Sequence, residues 1–126
     1  MQRFTDKVVL VTGAGSGIGR AAALRIAAEG GSIYCLDVNQ AGLDETVALI
    51  TAEGGDAAAQ LCDIADEAQV RGAVAACVDR FGSLYALVNM AGILRFDDTD
   101  ALETSAWQRV LDVNLTGTMI LCREVL

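Results

Sequence analysis

Apolar and polar positions follow two alternating spacings along the 126 residues. Residues 7–12, Lys-Val-Val-Leu-Val-Thr, form a β-branched run with polar residues before it and glycines after it, which predicts a buried strand. From Ile18 the spacing becomes helical: Ile18, Ala22 and Ile26 share one line, and Ala21, Leu24 and Ala28 the next, until Gly30 and Gly31 end the run. The alternation then recurs. Residues 32–37 predict a strand, 40–53 a helix stopped by Gly54 and Gly55, and 57–62 a weaker strand. Residues 66–81 predict a helix with Val70, Val74, Cys77, Val78 and Phe81 on one face, and 84–89 a fourth strand. After Gly92 a polar stretch with Asp97, Asp98 and Asp100 leads to a last helical pattern through Trp107, Val110, Leu111, Leu115, Thr118, Cys122 and Val125, expected to run on through Leu126.

Strands that read as continuous apolar runs, alternating with helices through short connections, indicate a parallel sheet covered on both faces. Right-handed crossovers leave few topologies, and the expected one is an α/β, three-layer Rossmann fold: a single domain over residues 1–126 with a doubly wound parallel sheet in the order 3-2-1-4. Its ligand crevice should open at the reversal between strands one and four, beyond their carboxyl ends.

Composition narrows the function. Hydrophobic residues make up 53% of the chain and charged ones 21%, enough apolar surface to offset chain entropy. A net charge of −8 would repel a phosphate backbone, which argues against a nucleic-acid partner. No apolar run approaches a bilayer span, and no signal peptide or membrane anchor is visible. Cys35, Cys62, Cys77 and Cys122 lie in or beside apolar runs with no Cys-x-x-Cys pair, and histidine is absent. Four buried structural thiols, no metal site and a reducing cytoplasm are the expectation.

The chemistry centres on Thr12-Gly-Ala-Gly-Ser-Gly-Ile-Gly19, set between the first strand and the first helix. There, backbone N–H groups and the positive end of a helix dipole can hold a diphosphate, with Gly13, Gly17 and Gly19 permitting tight turning and close approach; the plainer alternative is an ordinary flexible turn between strand and helix. Ser16 and Ile18 complete the loop. Asp37 closes strand two, where a carboxylate either accepts from both hydroxyls of an adenosine ribose or simply caps the strand end. A 2′-phosphate would meet a like charge there, and Ser16 supplies no cation to welcome one, so NAD is favoured over NADP. SAM and FAD also carry the ribose diol, and Asp37 does not exclude them. Asp63, ending strand three, either accepts from an adenine amino group or helps cap the following helix. Asn89-Met-Ala-Gly92 ends strand four across the crevice, where small residues leave room for the inner ribose. Asn114 falls on the apolar stripe of the last helix and is expected to be buried, so its amide must find partners, of which nearby backbone is the plain structural choice.

Together these residues resemble the short-chain dehydrogenase/reductase family, of the classical type, over its amino-terminal half. Thr12-Gly-x-x-x-Gly-Ile-Gly19 is similar to its cofactor loop, Asp63-Ile64 to its adenine-contact pair, Asn89-Met-Ala-Gly92 to its Asn-Asn-Ala-Gly segment, and Asn114 in Asp-Val-Asn-Leu-Thr-Gly117 to the asparagine of its catalytic tetrad. Met90 replaces the second asparagine; the first, which in the family ties neighbouring strands together, is retained as Asn89. The resemblance implies an NAD(H)-dependent oxidoreductase that transfers hydride to or from a secondary alcohol or ketone. Cofactor contacts fall to Gly13, Ser16, Gly17, Ile18, Gly19, Asp37, Asp63, Ile64, Asn89, Ala91 and Gly92, and a catalytic role to Asn114.

The family's serine and Tyr-x-x-x-Lys have no counterpart here: Tyr34 is followed four residues later by Val38, and Tyr85 by Asn89. The segment is therefore expected to be a truncated cofactor-binding half, inactive alone, with strand four as an edge that invites self-association. A homo-oligomer, dimer or tetramer, is what the family implies for the partner. The rival reading is a short protein that binds NAD or another adenine nucleotide without chemistry.

Overall fold

The computed structural model describes all residues, Met1–Leu126. Strands β1 (Val8–Thr12), β2 (Ser32–Asp37), β3 (Asp56–Leu61) and β4 (Ala86–Asn89) alternate with helices α1 (Gly17–Ala28), α2 (Gln40–Ala52) and α3 (Glu67–Phe81). The sheet is parallel throughout, in the order β3-β2-β1-β4. The three-layer Rossmann architecture is thus the observed one.

Register explains the double core. Val8 pairs with Ser32 and Leu10 with Tyr34, so side chains of like parity point to the same face of both strands. Leu10, Tyr34 and Leu36 pack with Val70, Ala73 and Cys77 of α3. Val9, Val11, Ile33 and Cys35 pack on the opposite face with Ala23 of α1 and Leu43 and Ile50 of α2. Every residue of β1 is buried, and each large apolar side chain so covered contributes roughly 1.5–3 kcal/mol of burial.

The polar boundaries are equally physical. Asn39 caps α2, its side chain accepting from the Gly42 amide at 3.1 Å, and Asp66 caps α3, accepting from the Gln69 amide at 3.1 Å. The capping role weighed for Asp63 therefore falls to Asp66. Gly82, at φ 83°, ends α3 in the left-handed region.

Boundaries differ from expectation at the sheet margins. β3 begins at Asp56 and ends at Leu61, one residue earlier at each end than the apolar pattern suggests, because its register is fixed by β2, with Asp56 opposite Ser32. β4 is two residues shorter than 84–89, its ladder with β1 starting at Val9–Ala86. The last helical run is three pieces: α4 (Thr104–Leu111), a π-helical segment (Asp112–Gly117) and α5 (Thr118–Glu124), preceded by a 3-10 turn at Thr99–Ala101. Its regular helix stops at Glu124 instead of continuing through Leu126. The wider π turn falls on Asn114, and such turns concentrate at functional positions. No helix is long and apolar enough to cross a membrane.

Candidate cofactor site

A cavity of about 340 Å³ opens beyond the carboxyl ends of the strands, at the predicted reversal between β1 and β4. Ten of the eleven proposed cofactor residues line it: Gly13, Ser16, Gly17, Ile18, Gly19, Asp37, Asp63, Ile64, Ala91 and Gly92. Asn89 does not.

The floor is the turn from β1 into α1. Gly13 sits at φ 64°, and a Cβ there would lie 2.9 Å from backbone atoms of Met90 and Ala91. A Cβ on Gly19 would lie 2.0 Å from the Gly13 carbonyl oxygen, so only glycine lets α1 start against the loop. Ser16 caps α1 in extended conformation without a side-chain hydrogen bond. The amides of Ser16, Gly17, Ile18 and Gly19 take no protein acceptor, which leaves four donors and the positive helix end facing the cavity. An anion is the natural occupant of such a group.

The loop is braced from two sides. Asp37 Oδ2 accepts from the Gly15 amide at 2.8 Å, while its Oδ1 accepts from Val38 and Asn39 at 2.7 and 3.1 Å. The carboxylate thus clasps the loop as well as facing the cavity, and of its roughly four acceptor positions about one stays free for a ligand hydroxyl. From outside, the Arg20 guanidinium donates to the carbonyls of Gly15 and Gly42 at 2.6 and 3.1 Å and to Thr46 Oγ1 at 2.9 Å. Buried Thr46 donates in turn to the Ala14 carbonyl at 2.7 Å. Arg20 and Thr46 lie outside any motif considered in the sequence, since their role depends on how closely α2 meets the loop.

The opposite rim is tied by Thr12, whose Oγ1 accepts from the amides of Met90 and Ala91 at 3.1 and 3.0 Å. Asn89 has a different environment from the expected one. Its amide nitrogen faces Cys122 Sγ at 3.5 Å on α5 rather than another strand, and its Oδ1 is buried without a partner. Asp63 Oδ1 accepts from the Ala65 amide, and its Oδ2 from Arg109 of α4, both at 3.0 Å. Arg109 lines the cavity and was not foreseen, because it reaches Asp63 from a distant part of the chain.

Asn114 is exposed, not buried as the apolar stripe suggested. Leu115 beside it is also exposed, because residues 92–101 lie open to solvent and cover little of this face. Asn114 is nevertheless anchored, Oδ1 accepting from the Ile93 amide and Nδ2 donating to the Ile93 carbonyl, both at 2.8 Å. It lines a second cavity, about 270 Å³, with Trp107 and Val110.

Burial pushes the Cys35 thiol up to about 12 and the Cys62 and Cys77 thiols to about 11, so all three stay protonated and unreactive. Cys122 is exposed, a correction to the expectation of four buried thiols. Its Sγ meets the Asn89 side-chain amide nitrogen, and the residue stands outside the apolar cluster that holds the adjacent Ile120 and Leu121.

Known proteins share this sequence pattern and fold. Levodione reductase of Leifsonia aquatica is 39% identical over 127 residues, covering 98% of this chain and 48% of that protein. Cyclohexanol dehydrogenase of Acinetobacter sp. (strain SE19) is 42% identical over 116 residues, covering 91% of this chain and 46% of that protein. The crystal structure of NAD+-bound xylitol dehydrogenase superposes with a TM-score of 0.93 at 38% identity, covering 98% of this chain and 48% of that one. The chain spans about half the length of the curated relatives it matches. The family model described as short chain dehydrogenase matches residues 7–126, and the chain belongs to that family.

Proposed function

We propose that this chain is the cofactor-binding half of an NAD(H)-dependent oxidoreductase acting on a secondary alcohol or ketone. The observation that carries the reading is the convergence, on one cavity, of four unpaired loop amides and the Asp37 carboxylate. The amides would hold the diphosphate, and Asp37 the adenosine ribose, its charge opposing a 2′-phosphate. Ala91 and Gly92, small and on the β4 rim, leave width for the nicotinamide ribose. When bound, the nicotinamide supplies or accepts the hydride.

The names of the relatives, a dione reductase and a cyclohexanol dehydrogenase, support the substrate class. Asn114 is the residue here that resembles a member of the family's catalytic tetrad, and its bonds to Ile93 hold the loop beyond β4 in place. Proton transfer needs a titratable group at the substrate oxygen. The buried Tyr34 sits within β2, and Tyr85 leads into β4 outside the cavity, so neither supplies it. The 126 residues are therefore expected to bind cofactor without turnover, in a homo-oligomer, and the free thiols fit a reducing cytoplasm.

Titration of NADH fluorescence, with NADPH as control, tests the assignment. The chain should bind NADH at least tenfold more tightly than NADPH, and Asp37→Asn should narrow that ratio. Equal or tighter NADPH binding by the unaltered chain would defeat the role given to Asp37.

A further inference from the structure

Arg109 is the one basic side chain lining the cavity. It stands on α4, yet its Nη2 donates at 3.0 Å to Asp63, at the end of β3. Asp63 is otherwise held by its own neighbourhood: Oδ1 accepts from the Ala65 amide at 3.0 Å, and the Asp63 amide donates to Gln69 Oε1 at 2.9 Å. Only Arg109 holds the carboxylate from a distant element. The pair is half open, with side chains 50% and 33% exposed, and ion pairs that open contribute little to folding. Arg80 and Asp56 form a comparably exposed pair, but neither touches the cavity. Position on the cavity wall therefore distinguishes the Arg109–Asp63 pair.

Strand order gives that position a meaning. β3 and β4 are the two edges of the sheet, so Asp63 and Arg109 border the side of the cavity beyond Asp37, and Gly92 and Ile93 the other. With a diphosphate on the α1 amides and a ribose at Asp37, the group that extends toward Asp63 is the adenine. We propose that Arg109 is a positioning residue for adenine recognition, fixing the Asp63 carboxylate in the orientation that accepts from the adenine amino group; the inference rests on the dinucleotide reading above. An ionised carboxylate offers about four acceptor positions, so the bonds from Ala65 and Arg109 leave each oxygen free to take a further donor. Without Arg109, the carboxylate keeps only the local tether on Oδ1 and turns away into solvent.

The test compares NADH with reduced nicotinamide hypoxanthine dinucleotide, which carries a carbonyl where adenine carries its amino group. Each is titrated by fluorescence against the full 126-residue chain and its Arg109→Gln, Arg109→Lys and Asp63→Ala variants. The unaltered chain should prefer NADH by about fivefold to tenfold, the range of one hydrogen bond. Arg109→Gln and Asp63→Ala should lose most of that preference while binding the hypoxanthine analogue about as before, and Arg109→Lys should restore part of it. Retention of the original ratio in Arg109→Gln, including equal weakening toward both ligands, overturns the proposal, as does an unaltered chain with no preference. Should Arg109→Gln fail to fold, Asp63→Ala and Arg109→Lys decide by the same ratio. Failure of the unaltered chain to bind NADH at all overturns the dinucleotide reading itself, a different result from binding that ignores position 109.

Discussion

The two sides of the cavity are built to different standards. On the β1–β2 side the strands are covered on both faces, every residue of β1 is buried, and the glycine loop is held by Asp37, Arg20 and Thr46. On the β4 side no strand residue is fully buried, and residues 92–101 lie open to solvent. Leu94 and Phe96 are largely exposed, and Asn89 keeps a buried oxygen without a donor, a defect of about 1–3 kcal/mol. The difference teaches where preorganisation is located. Donors that must meet a diphosphate without rearranging need a loop whose other polar groups are already satisfied. The wall beyond β4 carries no comparable demand within these residues.

The contrast should be largest in stability. Leu10 is fully buried between α3 and the sheet, so Leu10→Ala should cost about 3–5 kcal/mol, the upper part of the range for core leucines. Leu115 is 66% exposed, and Leu115→Ala should stay within about 0.5 kcal/mol. Urea unfolding of both variants measures the difference. Comparable losses would mean that the open side is covered in solution, for example by a second copy of the chain.

Binding comes next in size. A methyl group at position 19 cannot coexist with the Gly13 carbonyl 2.0 Å away, so Gly19→Ala must push the loop off the helix end. NADH affinity should fall by about a hundredfold, near 2.7 kcal/mol. Gly72, in α3 with open space around its Cβ position, is the control, and Gly72→Ala should leave affinity unchanged. A Gly19→Ala protein that binds NADH normally would show that the loop amides are not the grip.

How much of this was legible in the sequence follows the same division. Residues 32–37 predict a strand with the observed bounds, because two glycines precede β2, Asp37 closes it, and its centre is buried, where apolar pattern and burial coincide. That the glycine loop, Asp37 and Asp63 share one cavity wall was legible because each sits at the carboxyl end of a strand in the expected order, while Ile64 entered through the family resemblance alone. Arg20, Thr46 and Arg109 were not legible, since each acts across a tertiary gap that no local spacing encodes. The exposure of Asn114 and Cys122 was missed for a related reason. A helical stripe predicts a buried face only where something covers it, and beside α4 and α5 the covering is partial.

The smallest effect concerns acid. Glu29, at the end of α1, has a side chain only 5% exposed and is clamped by Arg3 at 2.5 and 2.7 Å and by Arg25 at 2.7 Å. The bonds from Arg3 and then Arg25, against an opposing effect of burial, hold its carboxyl at about 2, below the ordinary 4.5. On the open side Glu124 feels burial raising its pKa, outweighed by bonds from Arg123 and Arg71, and ends below its ordinary value with a side chain 21% exposed. A carboxyl whose pKa is lower in the folded chain stabilises it fully above the unfolded value and ceases to do so as pH falls through the folded one. The gap in Tm between the unaltered chain and Glu29→Gln should therefore be widest at neutral pH and close as pH drops from about 4.5 to about 2. Glu124→Gln should open a smaller gap, because the Glu124 side chain is itself 21% exposed against 5% for Glu29, and solvent around it screens the attraction of its arginines. A Glu29→Gln gap that holds constant down to pH 2 would mean that the Arg3 and Arg25 bonds serve packing alone, without a contribution from charge.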